Sequence, residues 1–158
     1  MDASYVNIAQ GKPVTANGYE GSYVPGNLTD GTEGDLGQVW LLNGYVGWAE
    51  IDLLSVTLFT KAIWYPSVSP STWQTYKLYI DNVHIDTITQ YIVAAAPGAV
   101  EFNFAPTIGQ YVKMEISDSA SWISGVEFEG LASVIPEPSS LILISLGFCG
   151  LIKKLRKV

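Results

Sequence analysis

The fold is decided by Trp48-Ala49-Glu50-Ile51-Asp52-Leu53, the stretch WAEIDL near the middle of the chain. The apolar side chains of Ala49, Ile51 and Leu53 alternate with two acidic ones. A period of two residues places alternate side chains on opposite faces of a β-strand. We therefore predict a strand here, with its apolar face turned toward a core and its acidic face turned toward water.

The same alternation recurs later in the chain. The side chains predicted to point inward are Tyr76, Leu78 and Ile80; Val100, Phe102 and Phe104; Val112, Met114 and Ile116; and Val126 and Phe128. In the last of these segments, Glu127 and Glu129 are predicted to point outward. Asp81-Asn82 fits a hairpin turn. Short alternating segments separated by Gly, Pro, Asn and Ser predict an all-β sandwich or barrel over residues 1–133, with residues 131–134 as a linker.

The charge of the chain divides at this linker. Fourteen of the fifteen acidic residues precede it, whereas only four of the eight cations do. Nucleic acid is an unsuitable partner for such an acidic body, since phosphate binding requires a basic patch. The single cysteine, Cys149, lies beyond the linker, so no disulfide forms within the chain and the core alone must stabilise it.

Residues 134–158 form a separate tail in three parts. Pro136-Glu137-Pro138 interrupts regular structure, because proline lacks an N–H group. Leu141 to Ile152 then contains no charged residue, and four cations follow between Lys153 and Lys157. An apolar run closed by cations is typical of a membrane anchor with a cytoplasmic end. As a helix it extends roughly 18 Å against about 30 Å of hydrocarbon, which predicts a short anchor. A C-terminal core helix is the alternative.

The tail resembles the PEP-CTERM sorting signal of Gram-negative bacteria in its tripeptide, apolar helix and basic end. The resemblance implies export, transient insertion in the inner membrane, cleavage by an exosortase, and release to the cell surface or the exopolysaccharide matrix. Met1–Tyr5 lacks the cationic start and apolar region of a signal peptide. We therefore expect the natural start to differ from the one given.

The body resembles the discoidin domain, also called the coagulation-factor type C domain, of the galactose-binding-like superfamily. The likeness rests on Asn7–Ala16, on Asn27-Leu28-Thr29-Asp30-Gly31 followed by Trp40, on Trp48–Leu53, and on Gly125–Gly130. It implies a jelly-roll β-sandwich of about eight strands, whose loops at one end bind a ligand that is usually a sugar in bacterial members.

The Gly-rich loop between Asn27 and Asp35 is a candidate calcium site, because calcium takes six to eight oxygen ligands from carboxylates and carbonyls. The family resemblance implies that Asp30 and Asp35 supply side-chain oxygens and that Asn27 and Thr32 supply carbonyls. The family's further carboxylate would stand at Gly125, and Glu127 is the nearest substitute. A solvated turn, with Asp30 bonding its own backbone, is the alternative.

Aromatic residues suggest a carbohydrate platform. The loop from Trp64 to Trp73 carries two prolines and four hydroxyl residues, and rigid loops with aromatic faces suit sugar rings. We predict Tyr65, Trp73 and Trp122 as the ligand-binding residues, with Tyr19 and Tyr23 as further candidates. Trp40 and Trp48, in contrast, are predicted to pack in the core.

Catalysis has little support, because a Ser–His–Asp or Cys–His arrangement would have to use the single histidine, His84, and the single cysteine lies in the tail. A pair of acidic residues acting as in glycosidases is the alternative that the sequence leaves open. The sequence thus predicts an exported, non-catalytic carbohydrate-binding protein. The alternative is a structural protein of the biofilm matrix without a discrete pocket.

Overall fold

The computed structural model describes residues 5–32, 38–94, 97–118, 120 and 122–133. Within them it has eight strands and one 3-10 helix. The strands are β1 (Tyr5–Asn7), β2 (Val14–Ala16), β3 (Trp40–Leu42), β4 (Val46–Pro66), β5 (Thr72–Ile80), β6 (Val83–Ile92), β7 (Val100–Asp118) and β8 (Ile123–Ser133), and the 3-10 helix is Pro25–Thr29. They form one antiparallel sheet in the order β1-β8-β4-β7-β5-β6, with β2 on β4 and β3 on β8. The all-β prediction is confirmed.

Two long strands turn this single sheet into a sandwich. A straight strand of 21 residues would extend about 70 Å. Nevertheless Tyr45 and Ser67, which flank β4, line the same cleft. The pairing of β4 with β7 shifts register between Asp52 and Thr57, and Leu54 has a left-handed φ of 65°. The sheet therefore doubles over at this kink, and its two layers enclose the core.

Most of the predicted inward side chains are buried between the layers. Ala49, Ile51 and Leu53 are buried, as are the inward side chains of β5 and the second half of β7. Phe104 is only partly buried and packs edge-on against Phe59. Alternation of apolar side chains thus predicted the core face of these strands correctly.

Strand β8 departs from the predicted alternation. Glu127 was expected to face water but is fully buried, because the loop that follows the 3-10 helix covers the outer side of β8. The predicted linker also begins too early, since Leu131 to Ser133 still belong to β8 and pair with β1. The hairpin at Asp81-Asn82 is confirmed, with both residues at positive φ, as a type I′ turn requires.

The tail lies outside the described residues, and so do the predicted C-terminal helix and the motif Pro136-Glu137-Pro138. Among the residues that the structure does describe, no helix has the length and apolarity needed to cross a membrane.

Candidate functional site

A cleft of about 580 Å³ opens at the end of the sandwich opposite the kink. Three kinds of side chain line it. The aromatic ones are Tyr23, Tyr45 and Trp122; the hydroxyl ones are Ser67, Ser69 and Ser124; and the apolar ones are Val39, Leu41, Val68, Ala94 and Ala120. None of these described lining residues carries a charge. Aromatic faces beside hydroxyl groups provide both stacking and hydrogen bonding for a small polar ligand.

Backbone hydrogen bonds hold the loops of the cleft together. The Leu41 amide donates to the Tyr23 carbonyl (3.3 Å), which ties the first loop to β3. The Asp118 amide donates to the Tyr45 carbonyl (2.8 Å). On the far side, the Ser67 amide donates to the Ser124 carbonyl, and the Ser124 hydroxyl donates in return to the Ser67 carbonyl. The lining residues are therefore distant in sequence but fixed relative to each other.

A polar network beside the cleft holds the backbone of Ala120, two residues before Trp122. The Asp118 carboxylate accepts hydrogen bonds from the Thr72 hydroxyl (2.7 Å), the Gln74 amide (2.5 Å) and the Ala120 backbone amide (2.7 Å). Tyr76 extends the network by donating its hydroxyl to Gln74. Burial, together with the nearby Asp118 charge, raises the pKa of that hydroxyl. This network was not predicted, because Tyr76 was interpreted only as an inward side chain of β5 and Gln74 was not considered.

Only one of the three predicted ligand-binding aromatic residues lines the cleft. Trp122 does so and is 43% exposed. Trp73 is 57% exposed on the outer face of β5, with its ring 5.5 Å from that of Tyr91. The Tyr65 hydroxyl donates to Glu129 (3.3 Å). The three therefore do not form one platform, because strand alternation turns Tyr65 and Trp73 away from the loops of the cleft.

The described part of the predicted calcium loop, residues 27–32, contacts β8, and none of these residues lines the cleft. The Asp30 carboxylate accepts from the Thr32 amide (2.8 Å), which closes an Asx turn. The Asn27 side chain donates to the Val39 carbonyl (2.9 Å). The Gly31 amide donates to the Glu127 carboxylate (3.2 Å), so the loop and β8 are joined. Asp35, the fifth predicted ligand, lies outside the described residues.

Glu127 is the unusual group at this place. Its side chain is 0% exposed, and its Oε1 atom has no hydrogen-bond partner among the described residues. Burial raises the pKa of this carboxyl to about 8, the Gly31 amide opposes that shift, and the Asp30 and Glu129 charges add to it. No three His, Cys, Asp or Glu side chains converge within the described part of the chain. A metal here would depend on Glu127, Asp30 and backbone carbonyls.

The comparisons with known proteins concern the fold. Neither a protein-family model nor a curated protein matches this chain. The lectin-binding domain of lectinolysin, solved as a histidine mutant with Lewis b, is 20% identical at a TM-score of 0.66, over 84% of this chain and 99% of that one. The carbohydrate-binding module CBM32 of AlyQ, solved with 4,5-unsaturated mannuronic acid, is 20% identical at a TM-score of 0.56. The match covers 75% of this chain and 92% of that one.

SpGH29 is 14% identical at a TM-score of 0.63, but this chain spans only 28% of its length. At these identities the likeness shows the fold alone, a β-sandwich that this chain shares with these carbohydrate-binding and lectin domains.

Proposed function

We propose that this chain is a non-catalytic carbohydrate-binding protein that is exported from the cell, and that the cleft lined by Tyr23, Tyr45 and Trp122 holds the glycan. One observation carries the proposal: three aromatic and three serine side chains from separate loops meet in one cleft at the open end of the sandwich. The neighbouring structures with this fold, crystallised with Lewis b and with a mannuronic acid derivative, support it.

The ligand that we propose is an uncharged sugar. The described lining contains no lysine, arginine or histidine that would pair with a carboxylate. In addition, the body is strongly acidic and would repel a polyuronate. Uncharged rings stack their C–H faces on aromatic side chains, and the apolar wall of the cleft suits a methyl or acetyl substituent.

A glycan array probed with the purified full chain tests this proposal. We expect binding to neutral glycans in preference to uronic acid polymers, with little dependence on salt, because the contacts carry no charge. Binding to no glycan would instead favour the structural matrix protein. Preference for acidic glycans would contradict the assignment to this cleft.

We further propose that Glu127 and Asp30, with carbonyls of the Asn27–Thr32 loop and an oxygen of Asp35, hold a structural calcium ion. The support is the buried Oε1 atom of Glu127, which has no partner among the described residues, since buried polar atoms are nearly always satisfied by a partner, a water or an ion. All the donors are oxygen atoms, as calcium prefers. The Asx turn at Asp30 would then be part of the ligand loop.

Calcium should stabilise the chain, and more at pH 8 than at pH 5. Without metal, the folded state keeps the Glu127 proton up to about pH 8, whereas the unfolded state loses it near 4.5. Stability should therefore fall as pH rises through this window, by up to about 1.4 kcal/mol per pH unit. Calcium takes the deprotonated form, so it should restore roughly 5–10 °C of Tm at pH 8 when present at about a hundred times its Kd.

Thermal unfolding with calcium or with EDTA, at both pH values, measures this effect. In Glu127→Gln both the calcium response and the pH slope should disappear, while the hydrogen bond from Gly31 can persist. An equal calcium response in Glu127→Gln and in the unchanged chain would show that the ion binds elsewhere.

The proposed export rests on the tail sequence, with Pro136-Glu137-Pro138 as the sorting motif and an exosortase as the partner. The fold is compatible with an anchored state. Strand β8 begins beside the cleft at Ile123 and ends at Ser133 near the kink. A domain held by its C-terminal tail would thus present the cleft on the side away from the bilayer.

A further inference from the structure

The kink in β4 is a rigid feature. The Asp52 carboxylate accepts hydrogen bonds from the Leu54 amide (2.8 Å) and from the Gln110 side chain (2.9 Å) of the neighbouring strand β7. Gly109 supports the turn on β7, because an added Cβ there would collide with Ile80. Leu54 is thereby held at its left-handed φ, and its side chain remains on the outside.

Four apolar side chains are exposed at this kink, and we call them the kink surface: Leu54, Val56, Leu58 and Ile108. Each is 43% to 66% exposed, and Leu58 pairs directly with Ile108 across the two strands. No charged residue occurs in 53–60 or in 102–112, although the body is strongly acidic. Exposed apolar side chains that meet across two neighbouring strands are a candidate surface for another apolar group to cover.

The C-terminal tail leaves the domain beside this surface. Lys61 of β4 pairs with Leu131 of β8, so Ser133 lies level with the residues that follow Leu58. Only seven residues separate Ser133 from Leu141, where the uncharged run to Ile152 begins. Seven extended residues reach at most about 25 Å, so the first residue of the run cannot be further than this from the end of β8. Such a tether corresponds to a millimolar effective concentration.

The charges near the kink are mixed. Asp52 lies there together with Asp81, whose carboxylate accepts from the Gln110 and Tyr111 amides (3.1 and 2.8 Å). Lys12 lies there too, because the Asp52 amide donates to the carbonyl of the next residue, Pro13, and Lys61 follows Leu58 by three residues on β4. The choice of the tail as the occupant therefore rests on its short tether and on its uncharged, apolar run.

We propose that the kink surface binds the apolar run Leu141–Ile152 of the same chain whenever that run is not inserted in a bilayer. The interaction would cover both apolar surfaces in water. It would end when the run enters a membrane, because the hydrocarbon then covers the tail instead. This proposal is independent of glycan binding and of calcium.

The native Cys149 provides the test, because it lies inside the apolar run and is the only cysteine of the chain. We expect Leu58→Cys in the full chain to form an intramolecular disulfide with Cys149 under mild oxidation. The matched control is Val6→Cys, a residue that is also exposed and pairs with Ala132 at the base of the tail, but lies on β1 outside the kink surface. Docking should make the disulfide at least about tenfold faster at position 58 than at position 6, whereas tethering alone would give comparable rates. Ile108→Cys should behave like Leu58→Cys.

Equal rates at positions 6 and 58 would overturn the proposal. A disulfide that joins two chains, with a rate that falls on dilution, would also overturn it, since the tail of a second copy would then be the occupant. A third arm uses Leu58→Cys with Cys149→Ser, and compares maleimide labelling of the new thiol with and without residues 134–158. Slower labelling in the full chain supports docking. Protection that requires added phosphatidylcholine vesicles would contradict it and assign the surface to lipid.

Discussion

Replacing Gly125 by alanine should destabilise the chain by about 3 kcal/mol, which is the upper range for overpacking a core. A Cβ at this position would lie inside van der Waals contact with the ring of Trp64. That ring cannot move aside, because Trp64 is fully buried and packs edge-on against Trp40 at 6.2 Å. Trp40 is itself held by a hydrogen bond from its Nε1 to the Gly18 carbonyl (2.9 Å).

Urea unfolding of the full chain measures this loss, and Gly130→Ala on the same strand is the matched control. The nearest atom to a Cβ at Gly130 is 3.4 Å away, in the side chain of Ile8. That variant should stay within about 1 kcal/mol of the unchanged chain. Gly125→Ala with full stability would mean that Trp64 is not packed as described. The same contact explains why no carboxylate stands at Gly125, since Trp64 fills the space.

Replacing Trp122 by alanine should weaken glycan binding at least about thirtyfold, close to 2 kcal/mol, as expected for an aromatic residue at the centre of a binding site. Trp122 lines the cleft beside Tyr23 and Tyr45, and it precedes β8 rather than lying inside a strand. Its removal should therefore leave the free energy of unfolding almost unchanged. Isothermal titration with the tightest neutral glycan from the array measures the loss.

Trp73→Ala is the matched control for this experiment, because Trp73 is equally aromatic and even more exposed but lies on the outer face of β5. We expect its affinity to stay within about threefold of the unchanged chain, since Trp73 packs on Tyr91 rather than on the cleft. The opposite result, in which Trp73→Ala loses glycan affinity and Trp122→Ala keeps it, would show that the glycan binds at the segment between Trp64 and Trp73.

The sequence predicted the fold class because alternation records which face of a strand meets the core, and each strand carries that information locally. Glu127 shows where such information ends. Its outer face is covered by the loop after the 3-10 helix, nearly a hundred residues earlier in the chain. No local pattern records a second covering layer, so a buried acid was predicted to be exposed.

The cleft was only partly predictable for a similar reason. Trp122 was identified from its place near the closing strand, whereas Tyr45 was not among the predicted residues. Tyr45 and Ser67 meet only because β4 doubles back at its kink. The kink has a weak signature, since Leu54 is neither glycine nor asparagine although it takes a left-handed φ. Trp73 was predicted to lie in a loop because proline and hydroxyl residues precede it, whereas β5 already begins at Thr72.

The doubled sheet also has a mechanical consequence. Strands β4 and β7 run continuously through the fold line, and each contributes residues to the front and the back of the sandwich. A pull on the C-terminal tail is applied to β8, which is bonded to β4, and β4 transmits it to both faces together. The two faces therefore cannot be peeled apart one after the other. A domain that is pulled between its C-terminal end and a ligand held in the cleft should therefore resist the load as a single block until the hydrogen bonds of β4 break.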